Sequence, residues 1–206
     1  MGKEPGRPAG ARRRFYTSRP VAFGLVTYLF AATMLGNTLP TPLYVMYQAR
    51  WHFSAGLITL IFAAYAAGVL AALLLAGRAS DQIGRRPVLA LVVALSALSA
   101  LAFIFASGVG WLFAGRILSG LSAGLVTGTG TAMLSELAGQ AGLRKASIMA
   151  TVAATGGLGL GPVVAGLLAE YAPNPTVLVF QVYLLFLAVA AVVSLSSPRR
   201  FPHGAG

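Results

Sequence analysis

The sequence predicts an all-α, polytopic membrane protein of six transmembrane helices, and three observations carry that reading. Of its 206 residues 57% are hydrophobic and 9% charged, against roughly 45–50% and 25% for a soluble domain, and the mean hydropathy is +0.81. So few charges cannot cover a water-exposed surface around so much apolar material. Secondly, a helix needs about 20 apolar residues to cross a roughly 30 Å hydrocarbon core. Six stretches are long enough: about 21–43, 54–76, 88–107, 111–136, 147–171 and 176–196. Thirdly, the charges sort by side. The N-terminal tail, the loops after the second and fourth stretches and the C-terminal tail hold every Lys and Arg except Arg50 and Arg116. By the positive-inside rule both termini are cytoplasmic, so the net charge of +11 follows from topology and does not point to nucleic acid. The absence of cysteine excludes a disulfide framework or a thiolate metal site.

Taken in order, residues 1–20 are a basic cytoplasmic tail carrying Lys3, Arg7, Arg12, Arg13, Arg14 and Arg19. Arg12-Arg13-Arg14-Phe15 faintly resembles a twin-arginine signal. The apolar run behind it is too long for a signal core, and five more follow, so it is a retained first span. That span contains Tyr28, Asn37, Thr38, Pro40 and Pro42 and no acid; the polar break Gln48-Ala49-Arg50-Trp51-His52 follows it. Between spans two and three the segment 77–89 reads as a tight loop with Arg78, Arg85 and Arg86. Arg144 and Lys145 follow span four, Ala172-Pro173-Asn174-Pro175 separates spans five and six, and residues 197–206 form a second cytoplasmic tail. The unit 21–196 is thus one six-helix body.

Arg116 in span four draws the eye, because a charge near mid-bilayer costs about 2.5–3.5 kcal/mol on insertion scales. At about 100° per residue, Arg116, Ser119, Ala123 and Thr127 fall on one narrow stripe. Two readings stay open: the stripe lines an aqueous path, or the arginine snorkels to the outer headgroups. Beside it, Gly120, Gly124 and Gly128 form a smooth ridge suited to close helix packing. In span five, Pro162 removes a backbone hydrogen bond, and Gly157 and Gly161 beside it permit a bend. That bend is either a gate or a passive kink.

Three segments carry a family resemblance. Gly77, Asp81, Gly84, Arg85, Arg86 and Leu89 match the signature loop of the major facilitator superfamily, Gly-x-Leu-Ala-Asp-Arg-x-Gly-Arg-Lys/Arg-x-x-Leu. Ala79, Ser80 and Gln82 replace the Leu, the Ala and the first Arg. The run from Arg116 to Gly124 is similar to the family's Arg-x-x-x-Gly element. The run from Gly157 through Gly161 and Pro162 to Gly166 resembles the glycine- and proline-rich element of its antiporter, drug-efflux-like branches, with Ala165 in place of one Gly.

The resemblance implies a multi-pass protein of the cell membrane that moves a small solute by alternating access, by efflux, as the N-terminal six-helix half of the twelve-helix family fold. It assigns the cavity to Arg116, Ser119 and Thr127 on span four and to Asn37 and Tyr28 on span one. It assigns a conformational latch to Gly77, Asp81, Gly84, Arg85, Arg86 and Glu136, and a helix bend to Gly157, Gly161, Pro162 and Gly166. For Glu136 a solvated surface position is equally open, since exposed pairs contribute little.

The expected partners are the lipid bilayer, an unidentified small-molecule substrate, and a second six-helix half or a second copy of the chain. No nucleic acid, metal or cofactor is expected. Because the family pattern runs out after the sixth helix, the alternative is a truncated or inactive half with a structural or regulatory role. Other six-helix classes fit poorly. An intramembrane serine protease could use Ser119, but His52 and His203 both lie outside the spans. A metal-dependent headgroup transferase needs clustered aspartates, and the chain has one, Asp81. A phosphate-binding lysine loop is missing too. Coupling to protons has no acid in span one to work through, which leaves Glu170 near the outer end of span five.

Overall fold

The protein is described by a computed structural model over residues 19–195, with side chains over 20–74 and 84–191. It is all-helical: α1 (Arg19–Thr38), α2 (Pro40–Trp51), α3 (Ala55–Ile83), α4 (Arg85–Ile104), α5 (Val109–Ala138), α6 (Leu143–Tyr171) and α7 (Pro175–Leu195), with a 3-10 turn at Gln140–Gly142. α1 and α2 make one interrupted span, Pro20–Trp51. Together with α3 to α6 this gives five elements long and apolar enough to cross a membrane, and α7 adds a sixth apolar helix.

The six expected spans are present, but several of their ends lie farther out than expected. Span one does not stop at 43. Pro40 takes the first position of α2, where its missing N–H costs nothing, and the helix runs on to Trp51. His52 ends it in a left-handed conformation, φ 51°, with its N–H donating to Gln48 O at 2.9 Å. Likewise the expected loop 77–89 is mostly helix. α3 continues to Ile83 and the whole connection is Gly84, at φ 92°, a backbone conformation glycine adopts without strain. Arg85 and Arg86 therefore open α4, and Arg144 and Lys145 lie in the first turn of α6. Cations at helix N-termini oppose the macrodipole by about 0.3–1 kcal/mol each. Arg85 pairs with Glu136, and the Lys145 ammonium lies 5.9 Å from the Phe23 ring centroid.

α5 and α1 are the spine of the bundle. α5 packs along α3 and α4 and against α1, while α1 packs along α6 and against α7. Behind them α4 meets α7, where Phe103 and Phe180 stack at 4.8 Å. α3 and α6 keep most of their surface outside the bundle. Two apolar clusters fill it. Leu29, Phe30, Val92, Val126 and Leu134 occupy the end nearer the chain termini. Leu39, Leu43, Ile61, Leu112 and Phe180 occupy the other. Lipid tails are as apolar as leucine, so close packing and interhelical hydrogen bonds must hold such a bundle together. Both are visible between α4 and α5. Ser96 Oγ and Ser122 Oγ are 2.6 Å apart, Ser122 donates to Val92 O at 3.0 Å, and Ser99 donates to Gly115 O at 2.8 Å.

Candidate functional site

The most distinctive site surrounds Arg116. α5 can bring a long cation into the bundle because glycines on both sides let α3 lie against its backbone. A Cβ on Gly68 would come within 2.8 Å of Ile117 O, and one on Gly120 within 3.1 Å of Val69 N. In the space left beside this contact Arg116 is 1% exposed. Its Nε donates to Tyr44 Oη at 2.5 Å and its Nη1 to the backbone oxygen of Asn37 at 2.6 Å. Its carbon lies 5.2 Å from the ring centroid of Tyr44, 4.9 Å from Phe62 and 5.6 Å from Tyr65.

Among the described residues no carboxylate pairs with Arg116. Glu136 is twenty positions along the same helix, about 30 Å away, and is engaged with Arg85. A desolvated cation–π contact contributes up to about 2 kcal/mol and a hydrogen bond from a charged group about 1.5–3. Three rings and two acceptors thus offset much of the cost of burying one arginine, while its other terminal nitrogen, Nη2, is buried with no hydrogen-bond partner. Snorkelling is overturned: the side chain is enclosed by α1, α2, α3 and α5. It ties the interrupted first span to the fourth.

The other residues assigned to the cavity are distributed along the bundle. Ser119 is buried next to Arg116 and donates to Arg116 O at 3.0 Å. Asn37 is buried too, but meets the arginine through its main-chain oxygen; its amide nitrogen lies 3.9 Å from Met34 Sδ. Thr127 is exposed, about 16 Å farther along α5, its hydroxyl donating to Ala123 O at 2.7 Å. Tyr28 lies about 14 Å from Asn37 along α1 and donates to Phe186 O of α7 at 3.1 Å. The structure thus brings Arg116, Ser119 and Asn37 together and sets Thr127 and Tyr28 apart.

Sequence reading missed Tyr44, Phe62 and Tyr65, which supply the acceptor and the ring faces. Only the unpaired arginine hinted that such partners must exist.

At the end of the bundle near the chain termini, Arg85 at the start of α4 and Glu136 in the last turn of α5 form an ion pair, with side chains 26% and 59% exposed. Gly84 supplies the turn beside it, and Arg86 follows Arg85 in the first turn of α4. The side chain of Asp81, and Gly77, lie outside the residues whose side chains are described. An exposed pair contributes about 0.2–1 kcal/mol. Glu136→Gln is therefore expected to move the denaturation midpoint of the purified chain by no more than a few degrees. A loss of the fold would show the pair to be structural.

The glycine- and proline-rich element sits where α6 crosses α1. Gly157 and Gly161 are buried against the α1 backbone: a Cβ would lie 2.8 Å from Met34 Cβ at the first and 2.6 Å from Leu35 O at the second. Gly166 has open space around it. Pro162 lies inside the helix.

Residues 21–205 match the model of the Major Facilitator Superfamily. The chain is 29% identical over 180 residues to multidrug resistance protein 1 of Bacillus subtilis strain 168, covering 86% of this chain and 46% of that protein. It is also 29% identical over 189 residues to the multidrug transporter MdfA of Yersinia pestis biovar Antiqua strain Angola, covering 91% of this chain and 45% of that protein. The chain therefore spans less than half the length of the curated relatives it matches.

Proposed function

Because the chain belongs to the major facilitator superfamily, as a multi-pass protein of the cell membrane, we propose that it forms one six-helix half of a secondary transporter and exports a small, hydrophobic solute by alternating access. The observation that supports this most is the Arg116 site: a buried cation joining the broken first span to the fourth, within a match to relatives named as a multidrug resistance protein and a multidrug transporter. Such a tie lets a rearrangement at one span be felt by another. The solute path runs between this half and a second six-helix half, supplied by another chain or by a second copy of this one. Arg85 and Glu136, with Asp81, form the latch at the cytoplasmic face. The distribution of basic residues supports placing both termini on that side.

The test is accumulation of a membrane-permeant fluorescent dye in cells making this chain with its second half, compared with cells making neither. Lower steady-state dye in the cells that make both halves is the expected result. Dye that accumulates to higher levels would overturn export. Equal levels, with the chain inserted and folded, would favour the structural or regulatory alternative.

A further inference from the structure

We infer that Thr38 is a catch that couples the break in the first span to the proline site in α6, so that the two interruptions move as one hinge. Proline at 162 has no N–H, so the carbonyl four residues earlier, Leu158 O, loses its donor within α6. An unpaired backbone carbonyl is costly in a bilayer, where water cannot replace the partner. Thr38 Oγ1, the last residue of α1, lies 3.1 Å from that carbonyl. The hydroxyl also lies 3.2 Å from Leu35 O in its own helix, and its single proton serves one acceptor at a time. Leu35 O already accepts from Leu39 N–H at 3.2 Å, so Leu158 O is the acceptor with the greater need.

Thr38 stands at an interruption of its own. Pro40 and Pro42 cannot donate to the carbonyls of Gly36 and Thr38, and Arg116 donates to the carbonyl between them, Asn37 O. Three prolines thus loosen two helices, and two side chains from neighbouring helices hold carbonyls at the loosened places. The contact is possible because Gly157 and Gly161 let α6 approach α1 to backbone distance. A valine at 38 would keep the shape and lose the bond; a serine would keep the bond. This deepens the transport reading by naming the hinge residue, yet its readout needs no transport.

The chain has no cysteine, so spin labels can be placed at will. Val45→Cys on α2 and Leu167→Cys on α6, both highly exposed, report the distance between the two segments in phosphatidylethanolamine–phosphatidylglycerol vesicles. Thr38→Val is expected to shift the populations of that distance about five-fold, the worth of one net hydrogen bond, and Thr38→Ser to restore them. Pro162→Ala returns an N–H to Leu158 O. In that background Thr38→Val should have no effect. A Thr38→Val effect of equal size with and without Pro162, or no effect in either, overturns the catch. If Thr38→Val prevents folding, Thr38→Val with Pro162→Ala is expected to recover folded chain, and failure to recover it likewise overturns the proposal. If the coupling is found while dye export is not, the hinge stands and the export reading falls.

Discussion

Arg116→Ala is expected to destabilise the chain by about 2–6 kcal/mol, since two buried neutral partners are left unpaired at about 1–3 kcal/mol each, and, on the transport reading proposed above, to abolish export by the assembled transporter. The alanine strands the main-chain oxygen of Asn37 and the hydroxyl of Tyr44. It also opens a cavity among Tyr44, Phe62 and Tyr65 that neighbouring helices can only partly close. Arg116→Lys should recover little. An ammonium is a point charge on a flexible stem, whereas the guanidinium fork reaches two acceptors in different directions while lying against ring faces. Tyr44→Phe keeps the ring and loses one acceptor, so its cost should be nearer 1–2 kcal/mol. The series is read from reversible unfolding in mixed detergent micelles. Wild-type stability for Arg116→Ala would mean that the arginine is dispensable to the bundle and that its enclosure has another origin.

How much of this was legible in the sequence depends on which interaction decides. The six spans were, since apolar length is written residue by residue and a bilayer demands it. Their ends were not. Gln48 and Arg50 look like loop residues, yet α2 carries them, because Pro40 starts a fresh helix that only His52 terminates. Arg116 was legible as a cation that needed partners. Which partners it would find was not, because Phe62 and Tyr65 read as ordinary apolar positions of α3. Thr127 shares the helical face of Arg116 but not its burial: around Arg116 the face is closed by rings from α2 and α3, and the helical period says nothing about neighbours. Asn37 was chosen for its side chain and contributes its backbone instead. Pro40 and Pro42 remove the helical donors to Gly36 O and Thr38 O, the carbonyls on either side of Asn37 O, and that sign of a loosened backbone was present in the sequence. Asp81 and Gly77 are outside the described side chains, so their part in the latch rests on the family motif.

The second large effect separates the glycines of this chain by what stands opposite them, and the separation cuts across the motifs. A Cβ at Gly124 would lie 2.6 Å from both Ala72 Cβ and Val69 O, and one at Gly120 would lie 3.1 Å from the carbonyl carbon of Tyr65. These neighbours are mostly backbone of α3, which cannot turn aside as a flexible side chain can, so α3 must move away as a body. α3 has its main packing surface on α5, and separating them removes the van der Waals contact that holds a membrane helix in place. It also opens the wall of rings beside Arg116. Gly124→Leu is therefore expected to abolish the cooperative unfolding transition, and Gly120→Ala alone to cost about 1–3 kcal/mol. Gly159 and Gly166 have nothing within 4 Å of a built Cβ. There alanine should be neutral or stabilising by up to about 1 kcal/mol through helix propensity, even though Gly166 belongs to the glycine- and proline-rich motif and Gly159 lies within it. Unfolding curves for the four variants, read for the presence of a cooperative transition and for its midpoint where there is one, decide the matter. Equal sensitivity at Gly124 and Gly166 would mean that the exposed side of α6 is covered as tightly as the α3–α5 seam, and that contacts within the six spans are not the whole of its packing.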